Sequence, residues 1–357
     1  MINVTKTHLP PLEEYTTYLE GIWKRNWVTN YGPLVQELEE KLKTYFGVQY
    51  ILFVSNGTLA LQLAIKAAGL TGEIITTPFS YVATTASIAW ENCTPVFADI
   101  DDSTLCIDPN RVIEKITDKT TAIIATHVYG NPCNIEALEK IGKHYNLKII
   151  YDAAHSFGVT YKDKSLLQYG DISTISFHAT KLFHTIEGGA ITTNDPKLAH
   201  RISQMSNFGH TGPTTFDELG INAKNSEFHA AMGLCMLPRI ESLILQRKHI
   251  AGMYDKLLHW GKISKPVLST GTNYNYAYYP VIFENESVLL QVIDALNRQE
   301  IYPRRYFYPS LSQLPYVSRQ SVPVAERISP RVLCLPFYPE LPEKDISAIS
   351  RIINNNC

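Results

Sequence analysis

The sequence predicts an α/β fold, a mostly parallel sheet covered by helices on both faces, followed by a smaller C-terminal α+β unit. Three observations predict it. Short apolar, β-rich runs recur seven times in the first 193 residues. Helical segments separate several of them, the alternation that buries a parallel sheet on both sides. After about Leu219 the texture changes to long helical stretches around one strand-like run.

The elements follow in order. Pro33 suits a first helical turn, Val35, Leu38, Leu42 and Tyr45/Phe46 make one stripe, and Gly47 ends the helix. The apolar runs are Ile51–Val54, Ile74–Thr77, Pro95–Ala98, Ala122–Thr126, Lys148–Tyr151, Ser173–Ser176 and Gly189–Thr193. Leu59–Ala68, ended by Gly69, and Ile135–Tyr145 read as helices between them. A long helical stretch begins near Ser226, passes Pro238 and runs through Ile240, Leu243, Ile250 and Tyr254 to Leu258. Strand-like Tyr276–Phe283, helical Ser287–Gln299 and a closing helix Pro342–Ile353 complete the chain. The expected division is an N-terminal arm and large domain over 1–240 and a small domain over 241–357.

Composition narrows the function. The 357 residues carry 32 Lys+Arg against 34 Asp+Glu, a net charge of −2, with no basic run to grip a nucleic-acid backbone. Mean hydropathy is −0.09, and no apolar stretch of about 20 residues is expected to span a membrane. Met1 to Pro10 lack the charged start and apolar run of a secretory signal. The six cysteines, Cys93, Cys106, Cys133, Cys235, Cys334 and Cys357, are scattered, which argues against a zinc site and for free thiols in a reducing cytoplasm.

Ligands of open α/β sheets sit beyond the carboxyl ends of the strands. Ser55-Asn56-Gly57-Thr58 lies between a strand and a helix. It reads either as a helix cap, through Asn56 or Thr58, or as an anion site of backbone N–H groups. Asp152 ends another strand, where it either caps the following turn or answers a cation. Lys181 follows a third strand, and is either a surface lysine or a neighbour of Asp152. A phosphate cradle, a strand-end carboxylate and a lysine on one face together match the needs of pyridoxal phosphate.

The ordered motifs extend further: Trp27-Val28-Thr29-Asn30-Tyr31-Gly32-Pro33, Thr77-Pro78-Phe79-Ser80-Tyr81-Val82-Ala83-Thr84, His127-Val128-Tyr129-Gly130-Asn131-Pro132, Asp152-Ala153-Ala154-His155, Ser176-Phe177-His178-Ala179-Thr180-Lys181, Glu187-Gly188-Gly189 and Gly220-Ile221-Asn222-Ala223-Lys224. With these the chain resembles the DegT/StrS-like sugar aminotransferases, of the fold type I pyridoxal-phosphate superfamily. The resemblance implies a three-layer α/β/α large domain with a mostly parallel seven-stranded sheet. It implies Lys181 as the Schiff-base lysine and proton carrier, Asp152 on the pyridine nitrogen and His155 near the phenolic oxygen of the ring. It implies Tyr81 stacked on the ring, and Gly57, Thr58, Ser176 and the neighbouring subunit's Asn222 on the phosphate. Thr29, Tyr31, His184, Lys224, Arg305 and Tyr306 are the residues expected to touch substrate. Lys224 stands where relatives often have arginine; a lysine keeps the positive charge but loses the planar fork of a bidentate contact.

The implied activity moves an amino group from L-glutamate, through pyridoxamine phosphate, to a nucleotide-linked keto-deoxy sugar in a cytoplasmic homodimer with shared sites. The tract around Lys181 and Arg304-Arg305-Tyr306 looks most like 4-aminotransferases acting on dTDP-4-keto-6-deoxyglucose. A 3-keto substrate or a uridine-linked sugar stays open. A dehydratase using the same cofactor is disfavoured by Lys181, since such relatives usually have histidine there. A non-catalytic sensor is disfavoured by the presence of Asp152, Tyr81 and Lys181 together.

Overall fold

The computed structural model describes residues 1–357. The central sheet has seven strands: β1 Tyr50–Val54, β2 Glu73–Thr76, β3 Thr94–Phe97, β4 Thr120–Thr126, β5 Lys148–Asp152, β6 Ile172–Ser176 and β7 Gly189–Thr193. Each apolar run of the sequence is one of them, with ends shifted by at most two residues. Their order is β1-β7-β6-β5-β4-β2-β3, and only β7 is antiparallel to its neighbours.

Alternation along the strands explains the double covering. Ile74, Ile124 and Ile150 enter one apolar cluster, whereas Ile75, Ile123 and Ile149 enter another on the opposite face. The first cluster is completed by α3 Gly57–Ala67 through Ala60, Leu61 and Ala64. On the other face, α2 Pro33–Phe46 and the helix Glu227–Met236 pack over Phe53, Phe177 and Phe183. The α2 stripe is as the sequence predicts: Val35, Leu38, Leu42 and Phe46 are buried, and Gly47 closes the helix at φ 65°. The helix over Ile135–Tyr145 also forms with those ends.

The long helical stretch is broken once. Pro238 lies in a 3-10 turn, Leu237–Arg239, between Glu227–Met236 and Ile240–Leu257. By length and composition alone the stretch still reaches membrane-spanning size. Glu227–Leu257 is 31 residues with an apolar window of mean hydropathy 1.3, long and apolar enough by length and composition. Half of that window is buried inside the fold, with Ala230, Ala231, Leu234 and Met236 packed in the core under α2.

Its last turns join a separate apolar cluster, in which Ile250 and Tyr254 meet Val281, Phe283, Leu289, Val292, Leu333 and Ile349 around a three-stranded sheet of Ile263–Ser264, Pro280–Phe283 and Val332–Cys334. Ile2–Asn3 pairs with Ile301–Tyr302, so the N-terminal arm is tied to this cluster. The strand expected over Tyr276–Phe283 is shorter. Tyr276 takes a left-handed backbone (φ 53°), and the Asn275 amide is committed to the carbonyls of His155 and Phe157.

Candidate active site

The carboxyl ends of β1, β5 and β6 meet at one edge of the sheet, and β7, running the other way, begins there. Gly189 lies opposite both Val54 and Ser176. A Cβ on Gly189 would stand 2.6 Å from the Asn56 carbonyl carbon, so only glycine lets β7 start against this turn. The result is a cleft of about 700 Å³ whose lining includes Gly57, Thr58, Tyr81, Asp152, His155, Ser176, Lys181 and Tyr306.

The two readings of the first turn are compatible. Asn56 is a helix cap: its Oδ1 accepts the Leu59 N–H at 2.8 Å, and its carbonyl accepts the Ala60 N–H. The N–H groups of Gly57 and Thr58, in the first turn of α3, have no partner within the helix. They supply donors at the positive end of the helix dipole. A Cβ on Gly57 would stand 3.0 Å from Ser176 Cβ, so the glycine keeps open a cradle between the turn and the Ser176 hydroxyl.

Asp152 ends β5 and is 5% exposed. Its Oδ2 accepts from Thr84 Oγ1 at 2.7 Å and its Oδ1 from the Ala154 N–H at 3.1 Å. Burial pushes its carboxyl pKa up, and these hydrogen bonds and the nearby Lys181 pull against it. His155 is buried and stacked on Phe307 at 5.6 Å. Its Nδ1 accepts the Tyr129 N–H at 3.2 Å, which places the proton of the neutral ring on Nε2. Burial holds this imidazole well below its ordinary pKa.

Lys181 is held by its neighbours in sequence. Phe177 and Phe183 are fully buried against each other at 4.9 Å, and Phe183 stacks on Phe157 at 4.3 Å. The loop between these anchors closes with the Lys181 N–H on the His178 carbonyl at 2.8 Å. Its Nζ donates to Tyr278 Oη at 3.1 Å. Burial lowers the amine pKa, and the Asp152 charge opposes it.

Other expected residues stand elsewhere. His184 is 1% exposed; its Nε2 donates to the His8 carbonyl at 2.7 Å and its Nδ1 accepts the Ile186 N–H, so both nitrogens are spent on the fold. Arg305 is turned away from the cleft, to Glu286 at 2.6 Å and the Pro330 carbonyl at 3.0 Å. Arg304 lines the cleft in its place, over the Tyr306 ring. Asn222 is exposed and accepts from Lys224 Nζ at 2.9 Å. Lys224 and Tyr31 line a second hollow away from the cleft, and Thr29 lines neither.

Three residues escaped the sequence reading. Tyr278 meets Lys181 from a segment read only as strand. Buried Glu227 caps α2 from another helix, accepting the N–H groups of Leu34 and Val35 at 3.0 Å each. Glu39, 7% exposed, accepts from Tyr31 Oη at 2.6 Å and the Phe53 N–H at 2.7 Å. Burial raises its carboxyl pKa to about 7. The apolar stripe of α2 gave no hint of Glu39, which falls on its buried side.

The sequence profile of the DegT/DnrJ/EryC1/StrS aminotransferase family matches residues 12–354. A dTDP-4-amino-4,6-dideoxy-D-glucose transaminase of Shigella dysenteriae is 44% identical over 347 residues, 95% of each chain. The solved structure of DesI in the presence of its TDP-sugar product superposes with a TM-score of 0.94 at 32% identity, covering 99% of this chain and 92% of that one. The structure of ntda from Bacillus subtilis with bound cofactor pmp superposes at 0.88 with 27% identity, covering 96% and 82%.

Proposed function

The chain belongs to the DegT/DnrJ/EryC1/StrS aminotransferase family, and from that premise we propose that it is a pyridoxal-phosphate enzyme that aminates a nucleotide-linked keto-deoxy sugar. The proposed substrate is dTDP-4-keto-6-deoxy-D-glucose, the product dTDP-4-amino-4,6-dideoxy-D-glucose, and the amino donor L-glutamate. The observation that carries the reading is the convergence of the α3 N-terminus, Asp152 and Lys181 in one cleft. The named relative and the TDP-sugar complex support the choice of sugar.

The residues fit the cofactor. The N–H groups of Gly57 and Thr58 and the Ser176 hydroxyl would bind its phosphate. Asp152 would hold a proton on the ring nitrogen, and the His155 Nε2–H would be the donor for the phenolic oxygen. Tyr81, 56% exposed on the cleft wall, offers its face to the ring. When bound, the group supplies an electron sink and carries the amino group between donor and acceptor. Lys181 Nζ takes and returns the proton at the reacting carbon, and its lowered pKa makes the neutral amine accessible for this. Tyr278 Oη orients that amine, and Tyr306 and Phe307 line the cleft beside it. Arg304 replaces Arg305 as the cation that meets the pyrophosphate.

The proposed active form is a cytoplasmic homodimer feeding O-antigen or another polysaccharide, with residue 240 dividing large from small domain. A two-fold interface carries Asn222, Lys224, Tyr31 and Thr29 of one protomer to the cleft of its partner. Exposed Phe208, Phe216 and Leu219 near Asn222 supply apolar area for that contact. The test is incubation with pyridoxal phosphate, 15N-glutamate and a panel of nucleotide keto-sugars, with product analysis by mass spectrometry and NMR. Label is expected at C4 of the dTDP-6-deoxy sugar; label at C3, or on a uridine-linked sugar, would replace that substrate.

A further inference from the structure

Behind Asp152 lies a line of buried hydroxyls that the proposed chemistry leaves unused. Thr84 is fully buried on the helix Val82–Trp90, Ser80 is 2% exposed just before that helix, and Thr126 is fully buried at the end of β4. Thr126 Oγ1 lies 3.1 Å from Ser80 Oγ, Ser80 Oγ lies 3.0 Å from Thr84 Oγ1, and Thr84 Oγ1 lies 2.7 Å from Asp152 Oδ2.

The direction of this chain follows from counting protons. A hydroxyl has one proton to give. An ionised Asp152 only accepts, so Thr84 spends its proton on Oδ2. Thr84 must then accept from Ser80, and Ser80, having given its proton, accepts from Thr126. All three O–H groups are oriented along the chain toward one carboxylate oxygen, and all are buried, where aligned hydrogen bonds strengthen one another. The reverse order would leave Thr84 without a proton for Asp152, and a buried carboxylate without that donor loses a charge-assisted bond.

We propose that Thr126, Ser80 and Thr84 form a relay of hydrogen bonds polarised toward Asp152, and that Thr84 is the positioning residue that keeps this carboxylate ionised and correctly turned at the cleft. The inference rests on the reading of Asp152 as the partner of the cofactor's ring nitrogen. No other side chain bonds Asp152; its remaining bond is the Ala154 N–H. The titratable groups that feel its charge are Lys181 from the loop after β6, Tyr278 from the segment before Pro280–Phe283, and Cys133 from the turn after β4. His155 and His127 stand close by, and burial keeps both neutral, with the His127 imidazole lowered to about 3. The relay is therefore the neutral device by which the fold offsets the burial of Asp152.

The test uses the full chain without cofactor. Unfolding free energy is measured against pH for the wild type and Asp152→Asn, and their difference traces the titration of Asp152 alone. The same pair is measured in Thr84→Val, Thr84→Ser and Ser80→Ala backgrounds. The inflection of the difference curve is expected to rise by about one pH unit or more in Thr84→Val, the loss of one charge-assisted bond. It should return to the wild-type pH in Thr84→Ser and rise by less in Ser80→Ala, which also serves should Thr84→Val not fold. An inflection unmoved in Thr84→Val, or in Ser80→Ala where that variant alone folds, overturns the relay. Pyridoxamine phosphate affinity is measured alongside: wild-type affinity in Asp152→Asn would instead overturn the reading of Asp152.

Discussion

Replacing Glu227 by glutamine tests how the fold holds the segment before α2. The carboxylate is fully buried and accepts two N–H groups, from Leu34 and Val35, both at 3.0 Å. A glutamine of the same shape has one carbonyl oxygen, so it keeps one bond and turns an NH2 toward the other donor. The loss is one charge-assisted hydrogen bond, about 1.5–3 kcal/mol, plus about 0.3–1 kcal/mol for removing a negative charge from a helix N-terminus. Arg25 at 3.7 Å is partly exposed and adds little. Relief by repacking is closed off on one side, because even a Cβ on Gly32 would stand 2.5 Å from Glu227 Cδ. The expected cost is about 2–4 kcal/mol. With a urea slope of about 3 kcal/mol per M, the midpoint should fall by about 1 M at fixed protein concentration. In the loaded enzyme, the KM for the sugar nucleotide should rise while the glutamate half-reaction keeps its rate, since Thr29 and Tyr31 precede the capped turn. A midpoint shift below about 0.2 M would refute the capping argument.

Asp152→Asn should fold and load, yet lose rate by orders of magnitude because the charge favouring the protonated ring nitrogen is gone; stopped-flow mixing with glutamate reads this directly. Lys181→Ala and Asn222→Asp should each be inactive, while remixing them by mild denaturation should restore activity approaching one working site per heterodimer. No recovery would mean that Asn222 serves its own chain. Glu39 has a raised native pKa, about 7, so between about 4.5 and 7 the native state binds more protons than the unfolded one. Its contribution to stability is therefore greatest below that window and declines as pH rises through it. Glu39→Gln should remove up to about 3 kcal/mol of that decline, read from unfolding curves at pH 5 and pH 7.5.

Much of this was legible because strands buried on both faces leave continuous apolar runs, and because cofactor groups sit where such strands end. Gly57, Asp152 and Lys181 could each be set at a strand end from the runs, but each alone also read as a cap or a surface residue, and only their combination pointed to a site. What the runs do not carry is direction: β7 looks like its parallel neighbours in sequence, and only pairing reveals its reversal. The helix Leu12–Arg25 was missed because only Ile22 of its stripe is buried, and Val82–Trp90 because β-branched and hydroxyl residues mask its period. Arg304 and Arg305 are adjacent in an irregular segment, and which of them faces the cleft follows from the pairing of Arg304 with Cys334. Tyr278, Glu227 and Thr84 act across long sequence separations, through contacts that no local pattern announces.

The central claim is that Lys181 is the lysine that engages the cofactor. Borohydride reduction of the protein loaded with pyridoxal phosphate, followed by peptide mass spectrometry, tests it most directly. The pyridoxyl group should be found on Lys181 in a one-to-one ratio and be absent from Lys181→Ala. A stoichiometric adduct on another lysine, or one that persists in Lys181→Ala, would contradict the account.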